Sequence, residues 1–207
     1  MKQLWSNLLF CHYRVPLESL RPWIPAPLEI ETCEGSAWIG IVSFDMSFGI
    51  IRYPQVNVRT YVSHKGKSGV YFLSCDAANH LAVFFAKRFY SLPYTYSNIQ
   101  AQFDATVSFH SMRKDHKYQV EYTPFGEWFH AKSGSLEYFL TERYSLFTDQ
   151  SYCDIMHESW KLQHVNASIK CNTLGSSKGF SFPLEADHLL YGNQTEVKIL
   201  SKGVFVY

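Results

Sequence analysis

The sequence predicts an α+β fold that is mainly β, with many strands and a few short helices in one domain over residues 1–207. Three observations carry this expectation. Short segments rich in β-branched and aromatic residues are bounded by Gly, Pro, Asn and Asp turns, the pattern of strands. Residues Pro54–His64 alternate: Val56, Val58, Thr60 and Val62 fall on one face, and Gln55, Asn57, Arg59 and Tyr61 on the other. No repeat or low-complexity linker divides the chain. A chain of 207 residues, 46% hydrophobic and 18% charged, suits one large domain with a sizeable core. Its 16 Phe, 14 Tyr and 5 Trp suit strands and also the walls of apolar pockets. For any single aromatic, core packing is the simpler assignment.

Taken in order, residues 8–28 begin as a strand and pass into a short helix, with Pro16 suited to the first helical position. There Leu17, Leu20 and Trp23–Ile24 are expected to share a face, and Pro22, Pro25 and Pro27 then hold the chain extended. Ser36–Met46 reads as a long buried strand, followed by the alternating segment Pro54–His64. Val70–Cys75 is a strand and Asp76–Asn79 a turn. Asn79 caps a helix that must stop before Pro93, because proline disfavours helix at the residue before it. Ala101–Met112 and Lys117–Thr123 form a hairpin across the turn Arg113–His116. Glu127–Ala131 is a further short strand. Ser133–Ser135 caps a helix at Leu136–Thr141, and Glu142–Thr148 returns as a strand. Ser159–Lys170 alternates loosely, and Thr195–Tyr207 is the last strand.

Several function classes are disfavoured. A formal charge of +1 and no basic run longer than Arg113-Lys114 argue against a nucleic-acid partner. No apolar run approaches the ~20 residues of a membrane span, and Met1–Asn7 lacks the features of a signal peptide. The five cysteines include no C-x-x-C pair, so reduced thiols in a cytoplasmic protein are expected. Gly66-Lys67-Ser68 resembles the end of a P-loop, but Tyr61 stands where the upstream glycine is needed. There is no G-x-S-x-G, G-x-G-x-x-G or H-E-x-x-H. Neither a cofactor nor a metal is expected.

The remaining candidates are charged residues within apolar segments: Arg59, Asp76, Arg88, Glu142, Arg143 and His157. Each alone is best explained by a structural ion pair; as a group among aromatic strands they are expected to surround a pocket. Periodicity alone favours solvent for the Gln55–Tyr61 face.

Three segments resemble the acetoacetate decarboxylase superfamily. Tyr13-Arg14, Leu20-Arg21, Pro25 and Pro27-Leu28-Glu29 keep the spacing of that family's Y-R-x-D-x-x-A-L-R-x-x-x-P-x-P-L-E. Asn79, Ala82 and Pro93 keep the spacing of its D-N-x-x-A-x-A-x-G-R-E-x-x-x-x-P-K-K, and the strand Gln55–Ser63 leading into Gly66 and Gly69 is a third, weaker match. Within that superfamily the chain is more similar to the YqjF-like family, whose members have no assigned function. That likeness rests on Cys33-Glu-Gly-Ser-Ala-Trp-Ile-Gly40, Asn57-Val-Arg-Thr-Tyr-Val62, Phe89–Tyr94 and Glu142-Arg-Tyr144. Trp160 also fits the family's pattern.

The resemblance implies an acetoacetate decarboxylase-like β-barrel or sandwich with a central cavity. It places Gln55, and by alternation Asn57, Arg59 and Tyr61, toward that cavity, reversing the preference from periodicity. It also implies that the decarboxylases' Schiff-base chemistry is missing, because Tyr94 and Thr95 stand where those enzymes carry two lysines. A binding module for a small organic molecule is therefore expected first. Arg59 would hold an anionic group, Tyr61, Tyr94 and Trp160 would form walls, and Gln55 and Asn57 would lie alongside. An enzyme using Tyr94 or His157 as acid or base comes second. A packed barrel that only engages a protein partner comes third, and it predicts a cavity filled by Phe and Tyr with Arg59 locked to Glu142 or Asp76.

Overall fold

A computed structural model describes residues 2–114 and 116–204. Strand β1 (Lys2–Val15) leads into α1 (Leu17–Leu20), a 3-10 turn at Arg21–Trp23, and β2 (Glu29–Ile30). A meander of three long strands follows: β3 (Ala37–Phe48), β4 (Ile51–His64) and β5 (Lys67–Ala77). Next come α2 (His80–Tyr90), β6 (Tyr94–Tyr96), β7 (Asn98–Phe103), β8 (Val107–Arg113) and β9 (His116–Phe129). The chain continues through α3 (Leu136–Thr141), β10 (Ser145–Phe147), β11 (Ser151–Met156) and β12 (Leu162–Asn172). β13 (His188–Gly192) and β14 (Thr195–Val204) complete the sheet.

Seven of these strands close a ring. Hydrogen-bonded neighbours run β14-β11-β10-β5-β4-β3-β1, and β14 pairs β1 again. A second arm, β13-β12-β9-β8-β7, leaves the ring at β1. Asn7 makes the branch possible. It takes φ 54 at a register shift between Ser6 and Leu9. Before it, Lys2–Trp5 pair with β14; after it, Leu8–His12 pair with β13. Asparagine tolerates this left-handed backbone better than most residues. Tyr122 and Tyr191 hold it there by donating to its carbonyl and its Oδ1.

Because the second arm packs on the outside of the ring, β1, β3 and β4 are buried on both faces and read as nearly continuous apolar runs. Leu9, Cys11, Ile39, Ile41, Val56 and Val58 meet Phe109, Tyr118 and Val120 of the second arm. Leu8, Phe10, Trp38, Val42, Phe44, Tyr61, Cys75 and Tyr94 form a separate cluster inside the ring.

Several expectations need correction. Pro16 is the N-cap of α1, one residue before the helix. Leu20 and Ile24 are buried while Leu17 and Trp23 are exposed, so these four do not share a face. Asp76 and Ala77 belong to β5 and only residues 78–79 turn. Ala101–Met112 is two strands, β7 and β8, broken at Asp104–Thr106. Glu127–Phe129 is the end of β9, and Glu142–Thr148 contributes only Ser145–Phe147 as strand. Asp115 of the predicted turn and Phe205–Tyr207 of the last strand lie outside the described residues.

Apart from the longer strand and shorter turn, the strand–helix unit is as expected. Asn79 accepts from the Ala82 amide at 2.9 Å, and Ser91 ends α2 in the left-handed region just before Pro93. Asn79→Ala is expected to cost about 1 kcal/mol in urea unfolding; a loss within error would mean that the cap is redundant. The inward side of α2 carries the small residues Ala82, Val83 and Ala86, which pack against the ring-interior cluster.

Candidate functional site

Backbone register brings the site together. His12 on β1 lies opposite Gly40 on β3, Gly40 opposite Arg59 on β4, and Arg59 opposite Phe72 on β5. The missing side chain at Gly40 lets the Tyr61 hydroxyl and the His12 ring lie close against the β3 backbone beside Arg59, forming a tightly packed niche. A Cβ there would sit 3.0 Å from the Tyr61 hydroxyl and 3.3 Å from His12 Nε2. The Arg59 guanidinium lies 5.6 Å from the Phe10 ring centroid and 5.8 Å from that of Tyr61.

The α3 helix covers this niche. The Leu140 carbonyl accepts from Arg59 Nη2 at 3.1 Å and from the Tyr61 hydroxyl at 3.0 Å. Among the described residues no carboxylate is ion-paired to Arg59. Asp76 pairs instead with Arg113 at 3.1 Å, and Arg143 pairs with Glu31. Arg59 Nε and Asn57 Oδ1 are buried without a hydrogen-bond partner, and the His12 ring lies against the backbone of its register partner His188. Buried polar atoms are nearly always satisfied, so these two on β4 stand out from the apolar interior around them.

Farther along β4, Gln55 Oε1 accepts from the Tyr94 hydroxyl at 3.2 Å, and Tyr94 lies beside Cys75 in register. Burial, reinforced by Cys75, holds the Tyr94 hydroxyl well above its ordinary pKa, so at neutral pH it is a donor and not a base. Burial likewise keeps the Cys75 thiol protonated.

At the α3 end, Glu142 is occupied by its neighbours. It accepts from the Trp160 amide at 3.0 Å and from the Tyr144 hydroxyl, while Trp160 Nε1 donates to the Thr141 carbonyl at 3.1 Å. His157 sits between the rings of Tyr144 and Trp160, 4.7 Å from each centroid. On the outer side of α3 a cleft of about 600 Å³ is lined by Glu31, Cys33, Tyr138, Phe139, Glu142 and Arg143. The Phe139 ring lies tilted against Tyr61 with centroids 5.1 Å apart, so one short helix separates the cleft from the niche.

The structure thus gathers Gln55, Asn57, Arg59, Tyr61 and Tyr94 inside the ring, with Trp160 and Glu142 at its rim. The expected grouping of charges around one pocket is corrected for two residues. Asp76 faces the second arm, one position out of phase with Cys75 and Ala77, and Arg88 is exposed on α2 beside Phe89. Arg143 lies between, at the cleft wall over Phe139. His12 and Gly40 were not singled out from the sequence. The available signal for His12 is that it is the one imidazole in the apolar run Leu8–Tyr13, two positions from Phe10.

His12 also sets a pH dependence. Burial, then the nearby Arg59 and His188, push its pKa well below 6.5, so folded His12 is neutral where the unfolded chain takes up a proton. Its contribution is complete above pH 6.5 and is lost as pH falls below that value. His157 and His188 shift the same way, mainly through burial. Burial raises Asp45 and Asp76, which act in the opposite sense near the carboxylate range. Between pH 7.5 and about 5.5, His12 alone is expected to remove about 1.4 kcal/mol. Comparing urea midpoints of the wild type and His12→Phe checks this; equal pH slopes would overturn it.

This fold and niche place the chain in a defined group. A family model described as an uncharacterized conserved protein, DUF2071, matches residues 2–196, and the chain belongs to that family. The uncharacterized protein YqjF of Bacillus subtilis (strain 168) is 38% identical over 209 residues, covering 92% of this chain and 86% of YqjF. Solved structures give the same fold at low identity. The acetoacetate decarboxylase of Legionella pneumophila matches with a TM-score of 0.69 and 10% identity over 99% of this chain and 87% of its own. An acetoacetate decarboxylase-like enzyme from Sphingomonas wittichii RW1 gives 0.68 and 9% over 99% and 92%. The enduracididine biosynthesis enzyme MppR complexed with pyruvate gives 0.68 and 11% over 98% and 89%. Among the described residues no helix is long and apolar enough to cross a membrane, and no cluster of His, Cys, Asp and Glu is placed to hold a metal.

Proposed function

We propose that the chain acts as one domain whose ring interior binds a small carboxylate-bearing molecule, with Arg59 as the anion's partner. The observation that carries this is Arg59 itself: a buried cation with no ion-paired carboxylate among the described residues and an unpartnered Nε beside Gly40. An unpaired charge in an apolar interior costs several kcal/mol, which a carboxylate would offset through charge-assisted hydrogen bonds. Neutral His12 supplies one donor and one acceptor, and Asn57 adds an acceptor. Phe10, Tyr61 and Trp160 give the ligand apolar walls. The pyruvate bound in the MppR structure supports small 2-oxo acids as the first class to test.

A protein-partner role without a ligand is disfavoured, because Arg59 is locked to neither Glu142 nor Asp76. The neutral imidazole of His12 beside a cation favours a second reading, turnover of the same ligand without a lysine nucleophile.

Thermal shifts with pyruvate, acetoacetate and benzoate test the proposal. A ligand at 100 times its Kd should add about 2.7 kcal/mol to the wild type and nothing to Gly40→Ala, whose methyl group must displace Tyr61 and His12 beside Arg59. No shift with any carboxylate would overturn it. Loss of the probe's NMR signal over time in the wild type, abolished in Tyr94→Phe with binding retained, would replace binding by turnover.

A further inference from the structure

We infer that the outer face of α2 is the contact by which two copies of this chain associate about a two-fold axis. An amphipathic helix serving only its own chain turns its large apolar residues inward. Here the order is inverted. Ala82, Val83 and Ala86 face the ring, while Leu81, Phe84, Phe85 and Phe89 are 60%, 59%, 52% and 54% exposed. The rings already form a patch: Phe84 and Phe85 are 5.6 Å apart edge to face, and Phe85 and Phe89 are stacked at 5.7 Å. His80 and Tyr96, stacked at 3.7 Å, extend it at one end.

The area suits a second copy. A large aromatic buries ~200 Å², so four side chains more than half exposed offer ~400 Å² per copy and ~800 Å² for the pair. Adding His80, Tyr96 and the stems of Lys87 and Arg88 brings the total past the ~1,000 Å² that a specific interface needs. The pattern is also self-complementary. Positions 81, 84, 85 and 89 make a single stripe centred near Phe85. Two antiparallel helices crossing there would set Leu81 of one copy against Phe89 of the other, as an isologous interface requires. An anionic lipid surface is the weaker occupant: α2 carries only two cations, Lys87 and Arg88, and the whole chain has a formal charge of +1.

Sedimentation equilibrium of the full chain over a wide concentration range tests this. The wild type should dimerise reversibly. Phe85→Glu should weaken association at least about 30-fold with an unchanged near-ultraviolet CD spectrum, and Met112→Glu, 57% exposed on another face, should behave as wild type. If Phe85→Glu loses its fold, Phe85→Cys supplies the reading: mild oxidation should link two copies through this residue, and Met112→Cys should not cross-link. A wild type that stays monomeric throughout, or a dimer insensitive to Phe85→Glu and not cross-linked through Phe85→Cys, would overturn the inference. So would a monomer that co-sediments with phosphatidylserine vesicles, which would assign the face to lipid.

Discussion

Arg59→Met is expected to make the protein more stable while abolishing its affinity for carboxylates. The guanidinium is buried, lies against the Phe10 and Tyr61 rings and donates to the Leu140 carbonyl, with no carboxylate of the described residues ion-paired to it. Methionine keeps much of the volume and the aromatic contacts and removes the desolvated charge. Replacing buried charges by apolar groups of similar size is neutral to stabilising, and here about 1–2 kcal/mol of gain is expected. The acceptor left behind is not orphaned, because the Tyr61 hydroxyl still donates to Leu140. In a chain of this length the gain corresponds to a rise in Tm of roughly 2–8 °C. Loss of the charge-assisted bonds should weaken any carboxylate at least about 10-fold. Urea titration and thermal shift with pyruvate measure both arms. A fall in stability of more than about 1 kcal/mol would show that Arg59 is a structural element and would remove the main support for an anion site.

Gly69→Ala is expected to have the opposite profile, a large loss of stability unrelated to binding. Gly69 lies opposite Val62 on β4, just before the parallel pairing of Val70 with Leu146 that joins β5 to β10. A Cβ at Gly69 would stand 2.3 Å from the Ser145 carbonyl oxygen, 2.9 Å from its carbon and 2.7 Å from the Phe147 ring. Two of these are backbone atoms that cannot rotate away, so β10 must shift and one seam of the ring opens. The cost should be about 3 kcal/mol or more. Gly40 is the useful contrast: its neighbours are the far ends of Tyr61 and His12, which can give way. Gly40→Ala should therefore fold and Gly69→Ala should fold poorly; equal urea midpoints for Gly69→Ala and wild type would sink this account of the seam.

Much of the fold was legible because strand patterning is local. The alternation of Pro54–His64 separated Val56, Val58 and Val62 from Gln55, Asn57, Arg59 and Tyr61, and the structure keeps that division. Which side faced water was not legible, since neither does: the second arm buries the valine side and the ring encloses the other. β11 and β13, SYCDIM and HLLYG, were missed because each is five or six residues long and is defined by pairing with strands distant in sequence. In the site, charge type was visible and phase was not. Asp76 and Arg59 look alike as lone charges in apolar strands. A register shift between β4 and β5 beside Arg59, together with the second arm, sends Asp76 to Arg113 and leaves Arg59 without a carboxylate. Gly40 carried no visible chemistry, since its role is to let Tyr61 and His12 lie against the strand backbone.

The change of partner at Asn7 has a kinetic consequence. The seam that shuts the ring pairs Lys2 with Lys198 and Leu4 with Glu196, nearly the longest separation the described chain allows. Contacts so remote in sequence are assembled slowly, because the chain must lose the entropy of a very large loop before the pairing repays it. During synthesis β1 can already meet β3 while β14 has yet to be made. The seam at Lys2–Trp5 is thus the last part of the ring to form, and until the final strand docks the ring stays open along that edge.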